Sequence, residues 1–241
     1  MNWPLILAVL IVCLAGFVHG LGGFGFGLVA MALLPMLMSL HAAVAVVVLL
    51  TVLVVGVTFI QMRAHYSWRQ GLWLVVGSCV GTPLGVLFLI KMDEIFLRHF
   101  LGGVMFLLAF NELLIFRKKG VPIPSALAFP IGLVSGGLGG AFNMGGPPAI
   151  AFAYTQPWSK EQVMALLQVV FGVSMLARLA MLGSTGLITT QSLKIGIWSI
   201  VPMLLALALG RRCFTRISRD HLKKGAFIFL AVMGLKYLIF A

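Results

Sequence analysis

Acidic residues are nearly missing from this chain: five Asp and Glu stand against seventeen Lys and Arg in 241 residues. With no paired carboxylates deep in an apolar run, general acid–base chemistry of the two-carboxylate kind is excluded. Cysteine is scarce too. Cys13, Cys79 and Cys213 stand singly, without CxxC or His spacing, as buried structural thiols do. Neither HExxH nor GxSxG occurs, so no enzyme, cofactor or metal site is expected. Charged residues of both signs reach only 9%, which leaves too little polar surface for a soluble domain.

Apolar residues fill the space: 61% of the chain, with a mean hydropathy of +1.14. The pattern is that of an all-α polytopic membrane protein forming one membrane domain over 1–241. Apolar runs suited to spans are Trp3 to Gly20, Gly27 to Leu40, Ala42 to Met62, Gln70 to Ile90 and Ile95 to Phe116. The second half gives Ser125 to Leu138, Pro147 to Gln156, Glu161 to Leu182, Leu193 to Leu209 and His221 to Phe240. Several match the roughly 20 residues a membrane helix needs, and the shorter ones suit half-helices. The first run has no basic n-region, so a cleaved signal peptide is not expected. A net charge of +12 would suit nucleic acid, but the basic residues lie in short loops between spans, the positive-inside signature. The partners expected are the lipid bilayer and a small anion, with no nucleic acid. A homo-oligomer is compatible with this composition.

Two glycine tracts interrupt the apolar runs. The first is Gly20-Leu21-Gly22-Gly23-Phe24-Gly25-Phe26-Gly27. The second runs from Gly136 through Gly139, Gly140, Asn143, Gly145 and Gly146 to Pro147-Pro148. Helix interiors disfavour Gly, and Pro lacks an amide donor, so each tract is expected to break its helix. At membrane depth such backbone is tolerated where it is buried in protein or lines a wet cavity, and paired broken segments mark a carrier's binding site. The alternative is that the glycines serve close helix packing.

The halves, 1–119 and 122–241, read as a repeat joined by a basic, Pro-containing linker. At an offset of 117, Gly20-Leu21-Gly22-Gly23 falls on Gly137-Leu138-Gly139-Gly140, and Thr51 falls on Gln168. If each glycine segment is a hairpin, each half has that hairpin plus about three full spans. Arg63, Arg69, Arg117 to Lys119, Lys160 and the cluster from Arg211 to Lys224 then share one face. If each is a single crossing, Arg117 and Arg211 fall on opposite faces, against the positive-inside rule. Loop charge therefore favours an inverted repeat. The two glycine tips would then meet near the midplane, with helix N-termini near Gly27 and Pro147 turned toward an anion.

Candidate substrate-binding residues are the tract residues Gly22, Gly23, Phe24, Gly25, Gly27, Gly139, Gly140, Asn143, Gly145 and Gly146, together with His19, Thr51, Gln168 and Arg178. Asn143 can donate to an anion oxygen or cap its own loop. His19 is either a donor or proton carrier beside the first tract, or a hydrogen-bonded structural histidine. Thr51 and Gln168 either line a pore or join helices. For Arg178, inside a span, snorkelling to the interface is the default, and attraction of the anion is the alternative.

The repeated GLGG tract with Pro35 after the first copy and Pro147-Pro148 after the second resembles the sulfite exporter TauE/SafE family, over essentially the whole chain. The resemblance implies a secondary transporter of small sulfur-containing anions, sulfite or organosulfonates such as sulfoacetate, in the cell inner membrane or plasma membrane. A small-anion channel is the alternative.

Overall fold

A computed structural model describes residues 3–22, 25–66, 71–111, 123–213 and 219–240, excepting the side chains at 22, 61, 62, 219–224 and 226. Among the described residues there are ten α-helices and no strand. They are α1 (Trp3–Gly22), α2 (Phe26–Leu33), α3 (Leu40–Met62), α4 (Leu72–Lys91), α5 (Glu94–Phe110), α6 (Ala128–Phe142), α7 (Gly146–Ala153), α8 (Lys160–Ser184), α9 (Thr190–Cys213) and α10 (Arg219–Ile239). Each expected apolar run overlaps one α-helix over its described residues, save that the run from Gly27 to Leu40 continues past the end of α2 at Leu33 to the first residue of α3. Gly23, Phe24, Arg69, Glu112, Arg117, Lys118, Lys119 and Arg216 lie outside the described residues.

Local chemistry sets several boundaries. Asp93 caps α5 by accepting from the Phe96 amide at 2.8 Å, and Ser159 with Gln162 forms a reciprocal capping box at the start of α8. Among the described residues, six helical segments are long and apolar enough to cross a membrane: those in α1, α3, α4, α8 and α9, and residues 125–142 ending in α6. Outward residues are apolar as well. On α9, Ile197, Val201 and Leu205 are each more than 60% exposed at four-residue spacing, a face that water would not tolerate and lipid does.

The second glycine tract differs from expectation. Gly136 to Gly140 stays helical within α6, and the interruption falls later, at residues 143–145. Helical glycine is retained there because a neighbour needs its missing side chain.

The chain divides into two compact units, each drawing on both halves. In the second unit (44–91 and 120–196), α4 and α6 pack backbone to backbone. A Cβ on Gly132, Gly136 or Gly140 would strike the carbonyls of Leu74, Ser78 and Thr82 in turn, and Gly77, Gly81 and Gly85 of α4 would meet Phe129, Leu133 and Gly137. Rising numbers on both sides make this pair parallel. Small residues every fourth position permit such an approach, and they answer for Gly140 as packing. Helix α8 joins α4 through a 2.7 Å hydroxyl contact between Ser78 and Ser174, and a Cβ on Gly172 would lie 3.7 Å from Val55 of α3. Leu74, Phe152, Leu166, Leu167 and Val170 close the core between α4, α7 and α8.

In the first unit (1–43, 92–119 and 197–241), Gly16 and Gly20 of α1 meet Met203 and Leu207 of α9, again parallel. Helices α5 and α10 run antiparallel: Gly102 faces Tyr237 and Leu238, while Gly234 faces Met105 and Phe106. A polar clasp ties the end of the α2 segment to α5. Arg98 donates to the Pro35 carbonyl at 2.7 Å and to Glu94 at 2.7 Å, and Glu94 caps α3 by accepting from the Leu40 amide at 3.0 Å.

Candidate functional site: a buried arginine at the second glycine hairpin

Helix α6 ends at Phe142 because Asn143 takes the left-handed conformation, φ 58°, which Asn tolerates better than most side chains. The Asn143 amide donates to the Gly139 carbonyl at 2.9 Å, the bond of an αL cap, and the Met144 amide donates to the Leu138 carbonyl at 3.2 Å. These two amides are therefore spent on α6 and not free for a ligand. The chain then doubles back: Ser135 donates its hydroxyl to the Gly145 carbonyl at 2.6 Å, and a Cβ on Gly139 would lie 3.7 Å from the Gly145 Cα. Helix α7 follows with Gly146, Pro147 and Pro148 as its first three residues, and the prolines suit a first turn while supplying no amide proton. Beside Gly146 stands Phe171 of α8, 3.6 Å from where a Cβ would be.

Against this tip lies Arg178. The expectation that it snorkels is corrected: its side chain is only 1% exposed. Its terminal nitrogens donate to Asn143 Oδ1 at 3.0 Å and to the Ala141 carbonyl at 3.5 Å. The C-terminal end of α6, with its partial negative charge, is a natural seat for a cation. Asn143 is oriented by the same contact, since a guanidinium has donors alone and must face the amide oxygen. Its Nδ2 consequently donates to Thr51 Oγ1 at 3.0 Å, and Thr51 passes its own proton to the Val47 carbonyl at 2.7 Å. Arg178 Nε finds no partner, and among the described residues no carboxylate pairs with this guanidinium. A buried cation without a counter-ion is costly.

The structure thus brings together Thr51, Asn143 and Arg178 at the hairpin formed by Gly139, Gly145 and Gly146, all in the second unit. Gln168, in the same unit, is buried with its Oε1 unbonded, and no hydrogen bond joins it to this chain of contacts. The first tract lies in the other unit. There Gly22 ends α1, Gly25 takes φ 104° just before α2 and folds back toward Val18, and Gly27 is buried in the first turn of α2. His19 is 4% exposed with neither ring nitrogen bonded, so the hydrogen-bonded structural histidine is not what is found.

Sequence reasoning missed two things. Contact between Arg178 and Asn143 carries no signal in the sequence, because the residues are 35 apart with the whole of α7 and most of α8 between them. The glycines of α4 did carry one: Gly77, Gly81 and Gly85 repeat at the spacing that permits close helix approach.

No curated protein and no solved structure matches the chain. The family model for the sulfite exporter TauE/SafE matches residues 8–237, nearly the full length of this multi-pass membrane protein, and the chain belongs to that family of transporters.

Proposed function

We propose that the protein is a secondary transporter that carries a small sulfur-containing anion, sulfite or an organosulfonate, and holds it at the second glycine hairpin as the counter-ion of Arg178. The observation that carries the reading is the buried guanidinium with an unbonded Nε and, among the described residues, no carboxylate paired with it. An anion there gains a charge-assisted hydrogen bond and removes the cost of the bare cation. Asn143 and Thr51 hold the guanidinium in place; the missing side chain of Gly145 makes room for the Ser135 carbonyl, and that of Gly146 lets a ligand come close to the backbone. His19, Gly22, Gly25 and Gly27 of the first tract, and Gln168, are proposed as further contacts of the anion along its path.

An inverted repeat supports this reading. Five passes in each half require α4 and α6 to run the same way, α1 and α9 the same way, and α5 and α10 opposite ways, as their glycine contacts do. A single crossing at each tract would leave α5 and α10 parallel. The approach of Val55 to Gly172 joins positions related by the repeat offset, as expected near a two-fold axis. We propose residence in the cell inner membrane or plasma membrane, with both basic loop clusters in the cytoplasm. Uptake of labelled sulfite into proteoliposomes tests the function. Saturable flux above protein-free liposomes, competed by sulfonates, is expected; flux no greater than in protein-free vesicles refutes it.

A further inference from the structure

We infer that the hairpin site selects by charge, taking a monoanion in preference to a dianion of the same shape. This rests on the reading above that an anion sits at Arg178.

The argument is a count of charge. Among the described residues, the buried polar side chains are His19, Thr51, Thr58, Ser78, Thr82, Ser135, Gln168, Arg178, Ser192 and Ser199, and Arg178 is the one Asp, Glu, Lys or Arg in that set. Neighbouring helix ends add little. The end of α6 and the start of α7 lie on the same hairpin with opposite partial charges of about half a unit each, which nearly cancel at a ligand touching both. Donors are few as well. Two of the first three residues of α7 are proline, the Asn143 and Met144 amides are bonded to α6, and Asn143 Nδ2 is bonded to Thr51. One positive charge and a sparse donor set neutralise one negative charge. A dianion would bring a second charge into a low-dielectric site with nothing to balance it, and an uncompensated buried charge is what such sites tolerate least.

Methanesulfonate and sulfate make the test, since both are tetrahedral and differ by a methyl group in place of a charged oxygen. Labelled methanesulfonate would be bound to the full-length protein in detergent at constant ionic strength and displaced by each unlabelled ion. Competition avoids the general stabilisation that sulfate gives to any folded protein. Displacement by sulfate is expected to need roughly tenfold or more the concentration that methanesulfonate needs, the order that one unbalanced charge commands. Arg178→Gln should lose the binding altogether. If sulfate displaces the label equally well or better while Arg178→Gln abolishes binding, the site stands and the charge selection is wrong. If the label never binds saturably, the site and the selection fall together.

Discussion

Replacing Gly81 by Ala asks whether the glycines of α4 and α6 are packing surface. The new Cβ would strike the Leu133 carbonyl and lie 2.9 Å from the Gly137 amide nitrogen, both backbone atoms that cannot rotate away. Ordinary contact begins near about 3.5 Å, so the two helices must separate by an appreciable fraction of an ångström along their whole interface. Overpacking of this kind costs about 1–3 kcal/mol. Alanine's lower backbone entropy in the unfolded chain returns roughly 0.5–1 kcal/mol, leaving a net loss of as much as about 2.5 kcal/mol. Gly56 in α3 is the matched control: a Cβ there meets nothing within 4 Å, so Gly56→Ala keeps only the gain. Thermal unfolding of purified protein should show Gly81→Ala lower by as much as about 10 °C and Gly56→Ala unchanged or higher, at about 2–4 °C per kcal/mol for a chain this size. If the two variants melt together, the close approach of α4 and α6 is wrong.

Asn143→Leu loses both bonds of the amide and puts a poor residue in the left-handed position, so stability should fall by about 2–4 kcal/mol in the same assay. Glu94→Ala removes the cap on α3 and the partner of Arg98 at a part-exposed clasp; a loss of about 1–2 kcal/mol is expected, with little change in anion affinity measured by competition binding. Single cysteines at Arg117 and Arg216 should both react only with permeant thiol reagents in intact cells, and labelling on opposite faces would restore the parallel repeat. Gly140→Val should abolish transport together with folded yield, because its side chain meets the Thr82 backbone; a well-folded, inactive variant would return Gly140 to the ligand site.

Hydropathy made the helices legible, since each apolar run is itself the signal for a span, and the second glycine tract pointed to the region where α6 gives way to α7. The exact turn was not legible. Glycine weakens a helix in isolation, but Gly136 and Gly140 remain helical because α4 presents bare backbone against them, a tertiary gain that no local propensity records. Asn143 was visible as a polar residue in an apolar tract, whereas its bonds to Thr51 and Arg178 depend on three helices meeting. Arg178 misled for the same reason. Snorkelling is what an isolated span would do, and the carbonyl end of α6 offers the guanidinium a seat inside.

The most direct measurement of the central claim is sulfite uptake by the Asn143→Asp variant. Asp fits the left-handed turn and the same space, but its carboxylate becomes a counter-ion to Arg178, which has none among the described residues. If the transported anion fills that role, the variant should be at least as stable as the parent and transport nothing, since the cation is already neutralised. Uptake by well-folded Asn143→Asp at the parent rate would show that the anion does not pair with Arg178.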